Sequence, residues 1–285
     1  MSLRHVLSCL IPAVAALLVT GAPARAAPAY DACTGTITSI PVVISSQGRW
    51  CLKGDLSTAM DSGKAISIEA NNVTLDCNGF KVGGLAAGTA TLTEGIVSSN
   101  LNTVIRACHV RGFRVGISVG ADGAVVEDNR VEANTQVGIV AMTGAVIRRN
   151  LVLDTGGAPN GTATAISAGG STGVSGNRVD GTVASPGNTL GGYGIYGFNP
   201  DGLVIEENIV VGIHAGSTGA SPILIGGVGP RGTVSGNIVS GVGAVVALNG
   251  IGCPNGSLVI VRENFVLGFS VEDVDCTDGG SNWFN

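Results

Sequence analysis

The sequence predicts an all-β solenoid in which short coils stack as parallel strands. Three observations predict it: a glycine-rich composition low in charge and aromatics, a repeated segment with fixed β-branched positions, and length variation confined to one part of each repeat. Of 285 residues, 46 are glycine, 45% are hydrophobic, 12% are charged and 4% are aromatic. Glycine at about twice its usual share, with abundant Val, Ile, Asn and Thr, weighs against a helical bundle. The glycines are not spaced every third residue, which excludes collagen. After residue 20 no apolar run approaches the roughly 20 residues that a membrane-spanning helix needs.

Residues 1–26 read as an export leader. Arg4 lies in a short basic start, an apolar stretch runs from Val6 to Val19, and Ala24-Arg25-Ala26 matches a cleavage site ahead of a mature start near Ala27. The expected location is therefore secreted or periplasmic. Removal of the leader leaves 13 basic and 20 acidic residues, a formal net charge of −7, and six of the seven cysteines. An acidic exported chain argues against a nucleic-acid partner. Six cysteines in an oxidising compartment predict three disulfides.

The repeat is seen by aligning VIRACHV at 104, VVEDNRV at 125, VIRRNLV at 146, VSGNRV at 174, VIEENIV at 204, VSGNIV at 234 and VRENFV at 261. One column reads Cys108, Asn129, Asn150, Asn177, Asn208, Asn237 and Asn264. Three residues before it stand only Ile or Val, from Ile105 to Val261, and two residues after it only Val, from Val110 to Val266. A further column, usually preceded by Gly, reads Ile96, Ile117, Ile139, Ile166, Ile195, Ile225 and Ile251. From this Ile to the Asn column the distance is 11 to 13 residues, whereas from the Asn column (Cys77 for the first step) to the next Ile it ranges from 9 to 19. Insertions therefore fall at one corner of the coil, as in solenoid repeats.

Stacking explains the columns, because equivalent residues of coils about 4.8 Å apart touch. Val and Ile suit a buried pleated position, and Asn amides can bond from coil to coil. Gly112, Gly181, Gly212, Gly241 and Gly268, four residues after the Asn column, are expected in tight turns with positive φ, with Ala133 and Asp154 departing from the pattern. The register places Cys77 against Cys108 and Cys253 one coil from Cys276, and elimination pairs Cys33 with Cys51. The expected organisation is a leader over 1–26, a capping segment over 27–64 and a solenoid over 65–285.

The segment AxNNVTLDCNGF at 70–80, preceded by Ile66-Ser67-Ile68 and followed by GFRVGI at 112–117, resembles the right-handed parallel β-helix proteins of the pectin-lyase-like superfamily, in particular the NosD-like exported repeat proteins. The resemblance spans roughly residues 40–275 and implies a single-stranded right-handed parallel β-helix with an N-terminal cap. It implies less about activity, because one fold hosts many functions. The family's hydrolase segments NTD, DD, GHG and RIK are absent, as is RxPxxR, and the nearest string to an epimerase DPHE is Asn199-Pro200-Asp201-Gly202. The copper handling implied by NosD would want soft or imidazole ligands. His109, His214, Met60 and Met142 are far apart in register, so neither a metal nor a cofactor is expected.

Two surface features are candidates for binding. Tyr193, Tyr196 and Phe198 gather beside long loops at 180–194 and 212–222 carrying His214, where an aromatic ring can lie on a sugar face, and Tyr196, Asp201 and His214 make the candidate site. Arg106, Glu127 and Arg148, two residues before the Asn column, form an outward polar strip, equally readable as a ladder of exposed ion pairs. Asp76 reads as a turn residue. The preferred expectation is an exported protein that binds polysaccharide or cell-envelope glycan. A polysaccharide lyase, hydrolase or epimerase and a purely structural or adhesive scaffold remain as alternatives, and oligomeric state is left open.

Overall fold

The computed structural model describes residues 32–159, 161–184, 191–199, 201–214, 220–226, 231–241, 250–253, 258–269 and 273–284. The chain divides into Met1–Ala32 and Cys33–Asn285. The expected leader and its cleavage site lie outside the described residues. Three parallel sheets, of 11, 10 and 10 strands, run the length of the second unit, and the chain visits them in rotation. One coil shows the pattern: Glu94–Ser98 belongs to the third sheet, Val104–Arg106 to the first, His109–Arg111 to the second, and Val115–Val119 returns to the third.

Each sheet contributes one inward column. Ile105, Val126, Ile147, Val174, Ile205, Val234 and Val261 of the first sheet are at most 1% exposed, and Val110 through Val266 of the second are fully buried. In the third sheet the column is Ile96, Ile117, Ile139, Ile166, Ile195, Ile223 and Ile251. Ile223, and not the expected Ile225, pairs with Ile195; Ile225 pairs with Gly197. Both residues have the same parity along the strand, so the period-two pattern could not separate them. Each such side chain contributes about 1.5–3 kcal/mol on burial. With three per coil, this core defines the stack.

The corner between the first and second sheets is one left-handed residue followed by the Asn column. Ala107, Asp128, Arg149, Glu207 and Glu263 adopt φ between 50° and 56° there, and Gly176 and Gly236 lie at 61° and 64°. Each non-glycine member costs about 1–2 kcal/mol. The asparagines that follow offset it: Asn129, Asn150, Asn177, Asn208, Asn237 and Asn264 are at most 3% exposed and bond to one another along the stack. At the next corner Gly112, Gly181, Gly212 and Gly268 have the expected positive φ, and so do Ala133 and Asp154. Gly241 does not; a Cβ there would stand 2.6 Å from the Phe269 ring, so close packing explains this glycine.

The three disulfides are Cys33–Cys51, Cys77–Cys108 and Cys253–Cys276. The segment expected as a cap supplies strands to all three sheets: Gly35–Ile37 and Gly48–Leu52 to the first, Val42–Ile44 to the third and Leu56–Ser57 to the second. No helix among the described residues is long and apolar enough to cross a membrane.

Candidate functional site

The aromatic cluster lies on the third sheet, in the strand Gly192–Phe198. Strict alternation would turn Tyr193 inward when Ile195 is inward, yet Tyr193 and Tyr196 are both half-buried at the surface while Gly194 and Ile195 are buried. The same X-Gly-Ile-X break recurs in lower coils, where a Cβ at Gly116 would stand 2.6 Å from the Gly138 carbonyl and 2.9 Å from Val131. This explains why Gly so often precedes the Ile column. The consequence for the strand is a row of three rings. Tyr193 and Tyr196 have centroids 5.4 Å apart at 27°, and Tyr196 and Phe198 are 6.4 Å apart at 27°.

Neighbouring coils leave room for this row. Tyr196 pairs with Ser167 below and Leu224 above. A Cβ at Gly226 would come within 2.6 Å of the Tyr196 Oη, and one at Gly169 within 3.1 Å of the Phe198 ring. Small residues thus stand where the Tyr196 and Phe198 rings pass. Burial pushes the Tyr193 phenol up, and Tyr196 adds to the shift.

Asp201 and His214 stand apart from the row. Asp201 opens the strand Asp201–Glu206 of the first sheet, where its carbonyl accepts from the Ser171 N–H at 2.7 Å. His214 ends the strand Ile209–His214 of the second sheet, and its carbonyl accepts from the Ala184 N–H at 3.3 Å. His214 therefore marks the corner leading into the third sheet and Asp201 the corner leading out. Among the described residues no hydrogen bond or ion pair joins Tyr196, Asp201 and His214.

The polar strip is a ladder of ion pairs on the first sheet. Asp76 accepts from Arg49 at 2.7 Å and Arg106 at 2.8 Å, while Glu127 accepts from Arg148 at 2.9 Å and Arg149 at 2.9 Å. Asp128 takes a bidentate pair from Arg149. Burial raises the Asp76 carboxyl, but the Asn78 amide, Arg49 and Arg106 outweigh it and hold it below the ordinary range. Arg106, Glu127 and Arg148 thus already have partners within the protein.

A second polar cluster, on the second sheet, lies in the columns one and three residues after Asn, whose residue types vary from coil to coil and leave no repeat in the sequence. Glu132, 8% exposed, lies at the centre. His109 Nε2 is 2.8 Å and Arg111 Nε 3.4 Å from its Oε1, and Arg130 Nε donates to its Oε2 at 2.6 Å. One coil below Arg111 the column holds Gly83, and below that Ser57. The gap left by Gly83 is a notch lined by Ser57, Thr58, Lys81, Leu85, Ala86 and Arg111.

No protein-family model matches the chain, and no curated protein matches it in sequence. Similarity is found among solved structures. The Dettilon tailspike protein superposes with a TM-score of 0.57 at 14% identity, over 87% of this chain and 59% of that one. The enzymatically active domain of bacteriophage CBA120 tailspike protein 2 gives 0.54 at 14% identity, over 90% of this chain and 42% of that one. The chain thus spans less than two thirds of either protein. Three parallel sheets visited in rotation, and the likeness to these proteins, make the chain a single-stranded right-handed parallel β-helix.

Proposed function

We propose that this protein is an exported β-helix that binds polysaccharide or cell-envelope glycan along Tyr193, Tyr196 and Phe198. The observation that carries the reading is the row of three rings on one strand, in a chain with 4% aromatics, with Gly226 and Gly169 leaving room for Tyr196 and Phe198. An aromatic ring offers an apolar face and, in Tyr, a polar tip. That combination suits a sugar ring, whose C–H face is apolar and whose rim bears hydroxyls. Three disulfides support an oxidising compartment, in keeping with the leader expected over residues 1–26.

The test is retention of purified protein on an array of acidic and neutral polysaccharides, with and without calcium. Reducing ends and the ultraviolet absorbance of unsaturated products are followed on the same samples. Retention without turnover, weakened about tenfold or more in Tyr196→Ala, about 1.4 kcal/mol, is the expected result. Turnover lost in a Tyr196, Asp201 or His214 variant would replace this reading with an enzyme. Absence of retention on every glycan would leave a scaffold.

A further inference from the structure

The notch on the second sheet lies away from the aromatic row and has a chemistry of its own. Its floor is Gly83, which occupies a column that carries Ser57, Arg111, Glu132, Leu153 and Asp180 in other coils. Nothing in the backbone at Gly83 demands glycine. Its φ lies outside the left-handed region, and the nearest neighbour of an added Cβ would be the Ser57 hydroxyl at 3.1 Å, an atom that can rotate away. What glycine does here is leave a gap. Ser57 and Arg111 face each other across it, two strand spacings or about 10 Å apart.

The groups around the gap carry excess positive charge. Among the described residues the ion-pair partners of the three cations Lys81, Arg111 and Arg130 are two carboxylates, Asp55 and Glu132. Glu132 is shared among His109, Arg111 and Arg130, and Arg111 receives the poorest share. Its Nε is 3.4 Å from Glu132, is buried, and makes no hydrogen bond among the described residues. A guanidinium has five N–H donors in a planar fork that matches a carboxylate. Lys81 is held by an exposed partner, Asp55 at 3.2 Å, a kind of pair worth little in water.

We propose that this notch binds the carboxylate of an acidic saccharide, with Arg111 and Lys81 as the charged donors, the Ser57 hydroxyl as a neutral one and Gly83 as the floor. The low Leu85–Ala87 rim beside it, with Leu85 half exposed, gives the sugar ring an apolar wall. This site is separate from the aromatic row and does not require it.

The experiment is calorimetric titration of the disulfide-intact protein with tri-galacturonate, with galactose as neutral control and sodium acetate as the free carboxylate. Tri-galacturonate should bind and galactose should not, and affinity should fall as salt is raised. Arg111→Gln and Gly83→Val, the one removing charge and the other filling the gap, should each weaken binding tenfold or more, while Arg178→Gln, which removes a charge three coils away on the same sheet, leaves it unchanged. Cooperative thermal unfolding of each variant shows whether it has folded, and Lys81→Gln, which removes the other charged donor, serves in place of a variant that has not. Acetate competing as well as tri-galacturonate would keep the notch but reduce its ligand to a simple carboxylate, overturning the saccharide. No binding of tri-galacturonate, or binding indifferent to the Arg111 and Gly83 substitutions, would overturn the site.

Discussion

Asn150 Oδ1 accepts two hydrogen bonds from Asn129, one from the main-chain N–H at 3.0 Å and one from the side-chain Nδ2 at 3.0 Å. The same pair of bonds recurs from Asn150 to Asn177, from Asn177 to Asn208, from Asn208 to Asn237, from Asn237 to Asn264 and from Asn264 to Asn282. Each Nδ2 also donates to a carbonyl of the coil below, as Asn177 does to Ile147 at 2.9 Å. Every asparagine thus joins three consecutive coils. Removing one leaves buried donors on the previous asparagine without an acceptor, at about 1–3 kcal/mol for each. Asn177→Ala should therefore lower stability by about 2–5 kcal/mol, measured by denaturant unfolding. A loss below about 1 kcal/mol would mean that the ladder is ornamental to stability.

Two glycines separate conformational need from accident. Gly156 has φ 133°, and a Cβ there would stand 1.9 Å from the Val183 carbonyl, which is backbone and cannot step aside. Gly156→Ala should cost about 3 kcal/mol or more, through strain and overpacking together. Gly173 has no positive φ and nothing within 4 Å of an added Cβ, and it stands between Val146 and Val204 in an outward column. Gly173→Val should leave stability unchanged or raise it by about 0.5–1 kcal/mol, because β-branched residues favour the strand. Thermal midpoints of the two variants should move in opposite directions from each other, or at least differ by several degrees.

The inward columns were legible because stacking repeats one environment in every coil: Val110 through Val266 meet the same neighbours, so the sequence shows the same residue type. The disulfides were legible for the same reason, since register alone brings Cys253 near Cys276. Ile225 was misassigned because a period of two cannot distinguish it from Ile223. The left-handed corner is marked by glycine only at Gly176 and Gly236; Asp128, Arg149, Glu207 and Glu263 hide it, because the Asn column beside it makes the turn tolerable without glycine. The cluster at Glu132 was hidden because it draws on two columns, His109 with Arg130 in one and Arg111 with Glu132 in the other, and the four residues meet only when coils are stacked. Asp201 and His214 show the converse: near the tyrosines in sequence, they lie at opposite ends of the strand that carries them.

The buried carboxylates make stability depend on acid. For Glu132, burial raises the carboxyl, while His109 and Arg130 outweigh it and hold it below the ordinary range, and Asp76 is likewise depressed. A carboxyl depressed in the folded state contributes stability that is full above its unfolded value, about 4, and is lost as pH falls through the folded value. Stability should thus be flat from neutrality to about pH 5 and decline below about pH 4. Asp76→Asn should lower stability at neutral pH and flatten the acid decline, seen in denaturant midpoints across that range. An unchanged acid slope in Asp76→Asn would mean that Asp76 is not among the groups linked to folding.

Thr155 and Thr182 test the interior of the corner that leads from the second sheet to the third. They stand in adjacent coils, where the Val183 N–H donates to the Thr155 carbonyl at 2.8 Å, and both side chains are 1% exposed. Neither hydroxyl has a hydrogen-bond partner among the described residues, and the Nδ2 of Asn134 nearby has none either. A buried hydroxyl without a partner is a net cost, whereas an apolar group of the same shape is not. The next coil supplies the natural comparison, because Thr182 pairs with Ile213, which is 1% exposed in the same column. A β-branched apolar side chain therefore fits this position, and Thr182→Val replaces only the hydroxyl. It should raise stability by about 1 kcal/mol, and Thr155→Val should do the same, with the two effects close to additive if each hydroxyl is without a partner on its own. A loss of stability in Thr182→Val, larger still in the double variant, would show instead that the two hydroxyls share buried water with Asn134.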